Sequence, residues 1–246
     1  MSVAPASITA VVLAGGFGTR IKHLLRELPK PMAPVHGRPF VEWVVRYLAA
    51  QGIRHVILST GHLAATVETH FAPQPVPGVR VTCVPETTPL GTAGGFLNAA
   101  RSAQNSPSAW LVLNGDSLAV AALAPLFQSL SQPETAGAIL GVPMADASRF
   151  GTLSQNTRGE LVGFNEKQPG AGNINAGVYL FRADTLKQFP KQSPLSFETE
   201  VFPALLSSGA RLQCLVCDVP FLDIGTPDSL PQATKFIQRN LGQFSL

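Results

Sequence analysis

Leu13-Ala-Gly-Gly-Phe-Gly-Thr-Arg20 is followed after a short interval by Leu28-Pro-Lys-Pro31, and the architecture expected of the whole chain follows from these two segments. Leading into it, Ile8 to Ala14 is an apolar run rich in β-branched residues, the pattern of a strand buried on both faces of a parallel sheet. The chain then meets Gly15, Gly16 and Gly18, where the missing Cβ lets backbone N–H groups approach a polyphosphate and tolerate positive φ. Arg20 adds a planar fork suited to phosphate oxygens. Lys30 stands between Pro29 and Pro31, which bias its backbone to an extended path and present the ammonium from a fixed base. A strand, a glycine turn and two cations predict a triphosphate-binding loop.

Two familiar loops fail on the same residues. A Walker-type loop requires Gly-Lys-Ser/Thr after four spacers, and no such string follows Gly15 or Gly16. A dinucleotide fingerprint requires a third Gly or Ala where Ile21 stands, and the second strand runs into Ser59-Thr60-Gly61 without an acid for a ribose. A glycine-rich turn beside an exposed basic loop stays open on the glycines alone.

Outward from the loop, Pro39 predicts the opening of a helix with Val41, Val44, Val45 and Leu48 on one face and Gly52 at its close. His55 to Ser59 reads as a second strand, Leu63 to Phe71 as a helix and Val79 to Val84 as a third strand. Glu86 to Gly95 is a second segment of small residues, opening a helix through Ala100, and Ala109 to Leu113 is a fourth strand broken by Asn114-Gly115-Asp116-Ser117. Strand, crossover, strand predicts a Rossmann-like, doubly wound α/β sheet, mostly parallel, with ligands at the carboxyl ends of its strands. Asp116 lies at such an end, with a helix-capping role as the structural alternative.

Thr135 to Val142 is a further strand, and beyond Phe150 the texture changes to short strands punctuated by Gly and Asn, which predicts a small antiparallel extension. Phe197, Val201, Phe202 and Leu205 share one helix face with Glu198 near its start. Thr226-Pro227-Asp228 reads as a helix cap with proline in the first turn. The division expected is one domain over 1–246, with 1–145 handling nucleotide and 146–246 the second substrate and the last helices.

An apolar content of 45% with only 13% charged residues predicts a compact chain, and no apolar run approaches a membrane span. The amino-terminal residues lack a basic segment before an apolar one, so a cytoplasmic protein without membrane contact is expected. The net charge of +3 is concentrated between Arg20 and Arg38, where Arg20, Lys22, Arg26, Lys30 and Arg38 face one acid, Glu27. Such a patch suits an anionic ligand. Nucleic acid is disfavoured by the absence of a longer basic stripe and by 7% aromatic content. Three cysteines make no disulfide framework, and Cys214-Leu-Val-Cys217 reads as strand, where residues three apart face opposite sides. The sequence leaves a homo-oligomer open.

Seven motifs carry a resemblance: Leu-Ala-Gly-Gly-Phe-Gly-Thr-Arg (13 to 20), Leu-Pro-Lys-Pro-Met (28 to 32), Pro-Leu-Gly-Thr-Ala-Gly (89 to 94), Asn-Gly-Asp (114 to 116), Phe-Asn-Glu-Lys (164 to 167), Asn-Ala-Gly (175 to 177) and Asp-Ile-Gly-Thr-Pro (223 to 227). In this order they resemble the sugar-1-phosphate nucleotidylyltransferases over almost the whole chain. Within that family the heptose 1-phosphate guanylyltransferases are most similar, with the mannose 1-phosphate guanylyltransferases next. The resemblance implies attack of a sugar 1-phosphate oxygen on the α-phosphorus of a nucleoside triphosphate. It implies catalytic roles for Arg20, Lys30 and Asp116, with Mg2+ held by Asp116 and Asp223. Leu13, Ala14, Gly15, Gly16, Gly18, Thr19, Glu86, Gly91, Thr92, Asn114 and Gly115 would line the nucleotide. Glu166, Lys167, Asn175, Gly177 and Glu198 would line the sugar. An ionised carboxylate accepts guanine's adjacent N1–H and N2–H together, so Glu86 favours GTP. Uridylyl or thymidylyl transfer, and a relative that only binds nucleotide-sugars, are the alternatives. No carboxyl-terminal β-helix is expected, so neither acyltransferase activity nor trimerisation through one is carried over.

Overall fold

The computed structural model describes residues 3–16, 21–25, 28–165, 167 and 169–245. Nine strands form one sheet: β1 (Ile8–Ala14), β2 (His55–Thr60), β3 (Arg80–Pro85), β4 (Ala109–Asn114), β5 (Thr135–Met144), β6 (Thr152–Gln155), β7 (Leu161–Asn165), β8 (Gly172–Arg182) and β9 (Arg211–Val216). The first four are parallel in the order β3-β2-β1-β4, with Leu13 opposite Ser59 on one side and Asn114 on the other. The chain winds outward from β1 to β3 and then returns to the opposite side of β1. The strand order therefore reverses between β1 and β4, whose carboxyl ends flank one crevice.

The antiparallel extension is continuous with this sheet. β8 pairs antiparallel with β4 and β5, β9 lies parallel to β5, and the β6–β7 hairpin joins at Ile174 opposite Thr152. The β8–β5 register breaks between Asn175 and Tyr179, and Gly177 in the break has φ +70°. A Cβ there would collide with the Asn114 side chain, so the position requires glycine on two counts. The break also brings β8 against the end of β4.

Alternation along the strands splits the core. Val12 and Leu111 face the helices at Phe40–Ala50, Ala124–Ser129 and Ala233–Arg239, whereas Val11 and Val112 face Phe96, Tyr179, Phe181, Phe197 and Phe202. Phe181 and Phe197 stack there at 5.7 Å. Cys214 packs in this second core and Cys217 against the first, matching the expected opposite faces.

Three local readings are corrected. The Phe40–Ala50 helix takes Pro39 as its cap and buries Glu42, Trp43 and Tyr47 beyond the expected stripe. Trp43 meets Phe244 at 5.4 Å, so the carboxyl-terminal turn Leu241–Phe244 covers part of this helix outside that stripe. The Phe197 helix opens as a π-turn, Phe197–Val201, before Phe202–Ser207. Thr226-Pro227-Asp228 opens a turn instead of a helix. Ser229 Oγ accepts from the Thr226 amide and hydroxyl, a local closure that competes with helix, and the last α-helix starts at Ala233.

Two side chains brace the first half. Glu42, 2% exposed, accepts from Arg38 and Arg46 at 2.8 Å and meets His70 Nε2 at 2.9 Å, tying the 40–50 helix to the Ala64–Phe71 helix. Burial pushes its carboxyl up, but the bonds from Arg46, His70 and Arg38 outweigh that and hold it below its ordinary value of 4.5. Gln74, at φ +52°, donates to Val81 O at 3.0 Å and accepts from Val81 N at 2.9 Å along β3.

Candidate active site

The crevice between the ends of β1 and β4 encloses about 540 Å³, and Gly15, Gly16, Lys30, Glu86, Asn114 and Asp116 are among its walls. Leu13, Gly91 and Thr92 line it too. Ala14 ends β1 beneath this rim, and Gly115 follows β4, where its amide donates to Leu13 O at 2.9 Å. A Cβ on Gly115 would press on that same carbonyl at 2.7 Å, so the turn after β4 lies directly on the end of β1.

Lys30 opens a 3-10 turn, Lys30–Met32, behind extended Pro29 and buried Pro31, and its side chain is 12% exposed. Nζ donates to Asp116 Oδ2 at 2.6 Å and lies 3.7 Å from Asp223 Oδ1. The two carboxylates, remote in sequence, are joined by an antiparallel ribbon in which Asp223 stands opposite Ser117, and Ile224 N donates to Asp116 O at 2.9 Å. Asp223 also accepts from Gly225 N at 2.5 Å and from Arg149 Nη2 at 3.3 Å. Two acids thus converge on one ammonium. Among the described residues no group of three or more His, Cys, Asp or Glu side chains could hold a metal ion by itself.

Glu86 lies at the opposite wall. Its Oε1 accepts from Ser59 Oγ at 3.0 Å and its Oε2 from Leu90 N at 3.2 Å. A Cβ on Gly15 or Gly95 would run into Oε1, so glycine at both positions makes room for this carboxylate. Gly91, at φ +77°, precedes the Thr92–Arg101 helix, whose Ala93 and Gly94 amides donate to Leu195 O at 2.9 and 3.0 Å. Those two donors are therefore already engaged by the protein.

Toward β8, one polar network joins the remaining residues. Asn175 Oδ1 accepts from Gly177 N at 2.9 Å and Nδ2 donates to Tyr179 Oη at 2.7 Å. Tyr179 donates to Glu198 Oε1 at 3.3 Å, while Glu198 Oε2 accepts from Thr92 Oγ1 at 3.1 Å and Ser196 Oγ at 2.8 Å. Burial, foremost, and then the Glu198 charge push the Tyr179 phenol well above its usual range, so it stays a proton donor. Asn175, Gly177, Glu198 and Thr92 are brought together; Lys167 is exposed, apart from that network. Gly18, Thr19, Arg20 and Glu166 lie outside the described residues.

Sequence reasoning missed Ser59, Ser196 and Arg149. Serines in a strand and before a helix carry no signal of their own, and Arg149 falls outside every motif quoted above. No described helix is long and apolar enough to cross a membrane.

A family model described as Nucleotidyl transferase matches residues 9–240. The chain is 35% identical over 95% of its length to the mannose-1-phosphate guanylyltransferase of Mycobacterium tuberculosis and spans 66% of that protein. It is 32% identical over 93% of its length to the D-glycero-alpha-D-manno-heptose 1-phosphate guanylyltransferase of Aneurinibacillus thermoaerophilus, of which it spans 98%. The crystal structure of HddC from Yersinia pseudotuberculosis complexed with GMP-PN superposes with a TM-score of 0.80 at 29% identity, covering 92% of this chain and 98% of that one.

Proposed function

The chain belongs to the nucleotidyl transferase family, and we propose that it transfers guanylate from GTP to D-glycero-α-D-manno-heptose 1-phosphate, releasing pyrophosphate. The observation that carries this reading is Lys30 set between Asp116 and Asp223 at the switch-point crevice. The heptose is supported by a relative matched over 98% of its length. Mannose 1-phosphate is the second reading, supported by 35% identity to the mycobacterial protein.

The nucleophile is already an anionic phosphate oxygen, so the reaction needs no general base; it needs in-line positioning and neutralised charge. Lys30, fixed by its prolines, would meet the reacting phosphates, and the Gly15-Gly16 backbone would face the triphosphate. Arg20, Gly18 and Thr19 are assigned to the same phosphates by family order, as Glu166 and Lys167 are to the sugar. Asp116 and Asp223 fit a divalent cation, because both are oxygen donors that already converge on one positive charge. Mg2+ held there would neutralise triphosphate oxygens. Glu86, with lone pairs beyond those used by Ser59 and Leu90, would accept from the guanine edge. Asn175, Gly177 and Glu198 would shape the sugar pocket through their shared network.

The test is pyrophosphate release with Mg2+, crossing GTP, UTP, dTTP, CTP and ATP with the 1-phosphates of D-glycero-D-manno-heptose, mannose, glucose and N-acetylated sugars. Release confined to GTP and the heptose is the expected result. Release with mannose establishes the second reading, and silence throughout in folded protein overturns both.

A further inference from the structure

Four charged side chains form a row that starts at the crevice wall with Asp116 and Lys30 and continues beyond it to Asp223 and Arg149, spaced at 2.6, 3.7 and 3.3 Å. The row sums to zero, and Asp223 is shared by two cations. The two cations are held differently. Lys30 is 12% exposed on a turn fixed by prolines, whereas Arg149 is 49% exposed and its guanidinium lies 5.3 Å over the Phe150 ring. Among the described residues its one protein hydrogen bond is to Asp223 Oδ2, so most of its N–H donors are left for another acceptor.

The backbone that carries Arg149 is well placed. Phe150 packs edge-on against Phe221 at 5.6 Å, on the strand of Asp223, and Gly151 O accepts from Asn175 N at 2.8 Å. Arg149 is thereby fixed between the carboxylates and the β8 break that carries Asn175.

We infer that Arg149 binds the phosphate of the sugar 1-phosphate, and that Asp223 holds it ready until a divalent cation takes that carboxylate. The inference rests on the transferase reading above. A guanidinium fork matches a phosphate in shape and charge. While Asp223 is free, Arg149 and Lys30 compete with any cation for the acid pair, so bare metal binds weakly. Once Asp223 serves a cation, the guanidinium loses its partner and turns to the phosphate arriving beside Asn175. The same residue thus couples occupancy of the acid pair to capture of the second substrate.

The experiment is an Mn2+ titration of the free protein by electron paramagnetic resonance, with wild type, Arg149→Gln and Arg149→Lys, alongside steady-state kinetics. Arg149→Gln is expected to bind Mn2+ roughly fivefold tighter or more, because a competing charge is removed, and Arg149→Lys to stay near wild type. In kinetics Arg149→Gln is expected to raise KM for the sugar 1-phosphate about tenfold while KM for the triphosphate moves less than about twofold, with Arg149→Lys recovering part of the loss. Unchanged or weaker Mn2+ binding in Arg149→Gln overturns the competition for Asp223. An unchanged KM for the sugar 1-phosphate overturns the phosphate contact. If wild type releases no pyrophosphate with any pair, the transferase reading falls separately, and the Mn2+ titration still supports or overturns the hold on Arg149.

Discussion

Glu42 and Asp116 each hold a cation at close range, Arg46 at 2.8 Å and Lys30 at 2.6 Å, yet the first carboxylate is 2% exposed and the second 39%. Glu42 has more partners than its charge requires, the guanidinium groups of Arg38 and Arg46 and the His70 ring, and they tie two helices together. Asp116 and Asp223 differ: beside the crevice they share Lys30 and Arg149 in a row whose charges balance, so that no acid has a surplus of partners. A buried carboxylate with surplus partners holds helices together, whereas part-exposed carboxylates with shared partners are free to take new ones.

The largest expected effect breaks the exposed side. Lys30→Ala should lower kcat about 10³-fold, since a charge that serves developing negative charge is poorly replaced by water. Its thermal midpoint should stay within about 3 °C of wild type, because the partners it leaves are partly solvated. Near-normal turnover would remove Lys30 from the chemistry. Asp223→Asn should raise the Mg2+ concentration for half-maximal rate about tenfold; an unaltered metal titration moves that site elsewhere.

Glu42→Gln tests the buried side in the opposite sense. Urea unfolding at pH 7 should show a loss of about 2–3 kcal/mol, less than for a fully buried pair because Arg38 regains water, while kcat is unchanged. The pH dependence has a definite sign. The folded-state value of Glu42 lies below its ordinary 4.5 despite burial, because Arg46, His70 and Arg38 bond it, so its contribution is full above pH 4.5 and is lost as pH falls through the depressed value. Wild type should therefore lose stability on acidification in that range more steeply than Glu42→Gln. The smallest effect belongs to Tyr179→Phe, which removes the hydroxyl between Asn175 and Glu198 and should lower stability by about 1 kcal/mol. A severalfold rise in KM for the sugar 1-phosphate would show that the network also orders the pocket.

The exposed side was the more legible in sequence. Proline fixes Lys30 and the break after Leu113 sets Asp116 at a strand end, both by local rules. The first four strands were readable for the same reason, as buried runs with turn residues between them. Glu42 was hidden because the expected face of its helix stopped at Val41, Val44, Val45 and Leu48, and nothing in helical spacing says that Leu241–Phe244 returns to cover Trp43. The Ser117–Ala119 and Phe221–Asp223 ribbon is too short for a periodic signal, so the pairing of Asp116 with Asp223 came from family order alone. Arg149 left no trace, since its role depends on a cation–ring contact and a cross-sheet partner.

Gln74 carries a consequence for life in a crowded solution. β3 ends the parallel half of the sheet, so among the described residues no further strand pairs with one row of its peptide groups. By pairing with both the amide and the carbonyl of Val81, the Gln74 side chain behaves as one residue of a missing strand. A second molecule seeking to extend the sheet would have to evict that amide first, which guards the chain against self-templated fibre growth.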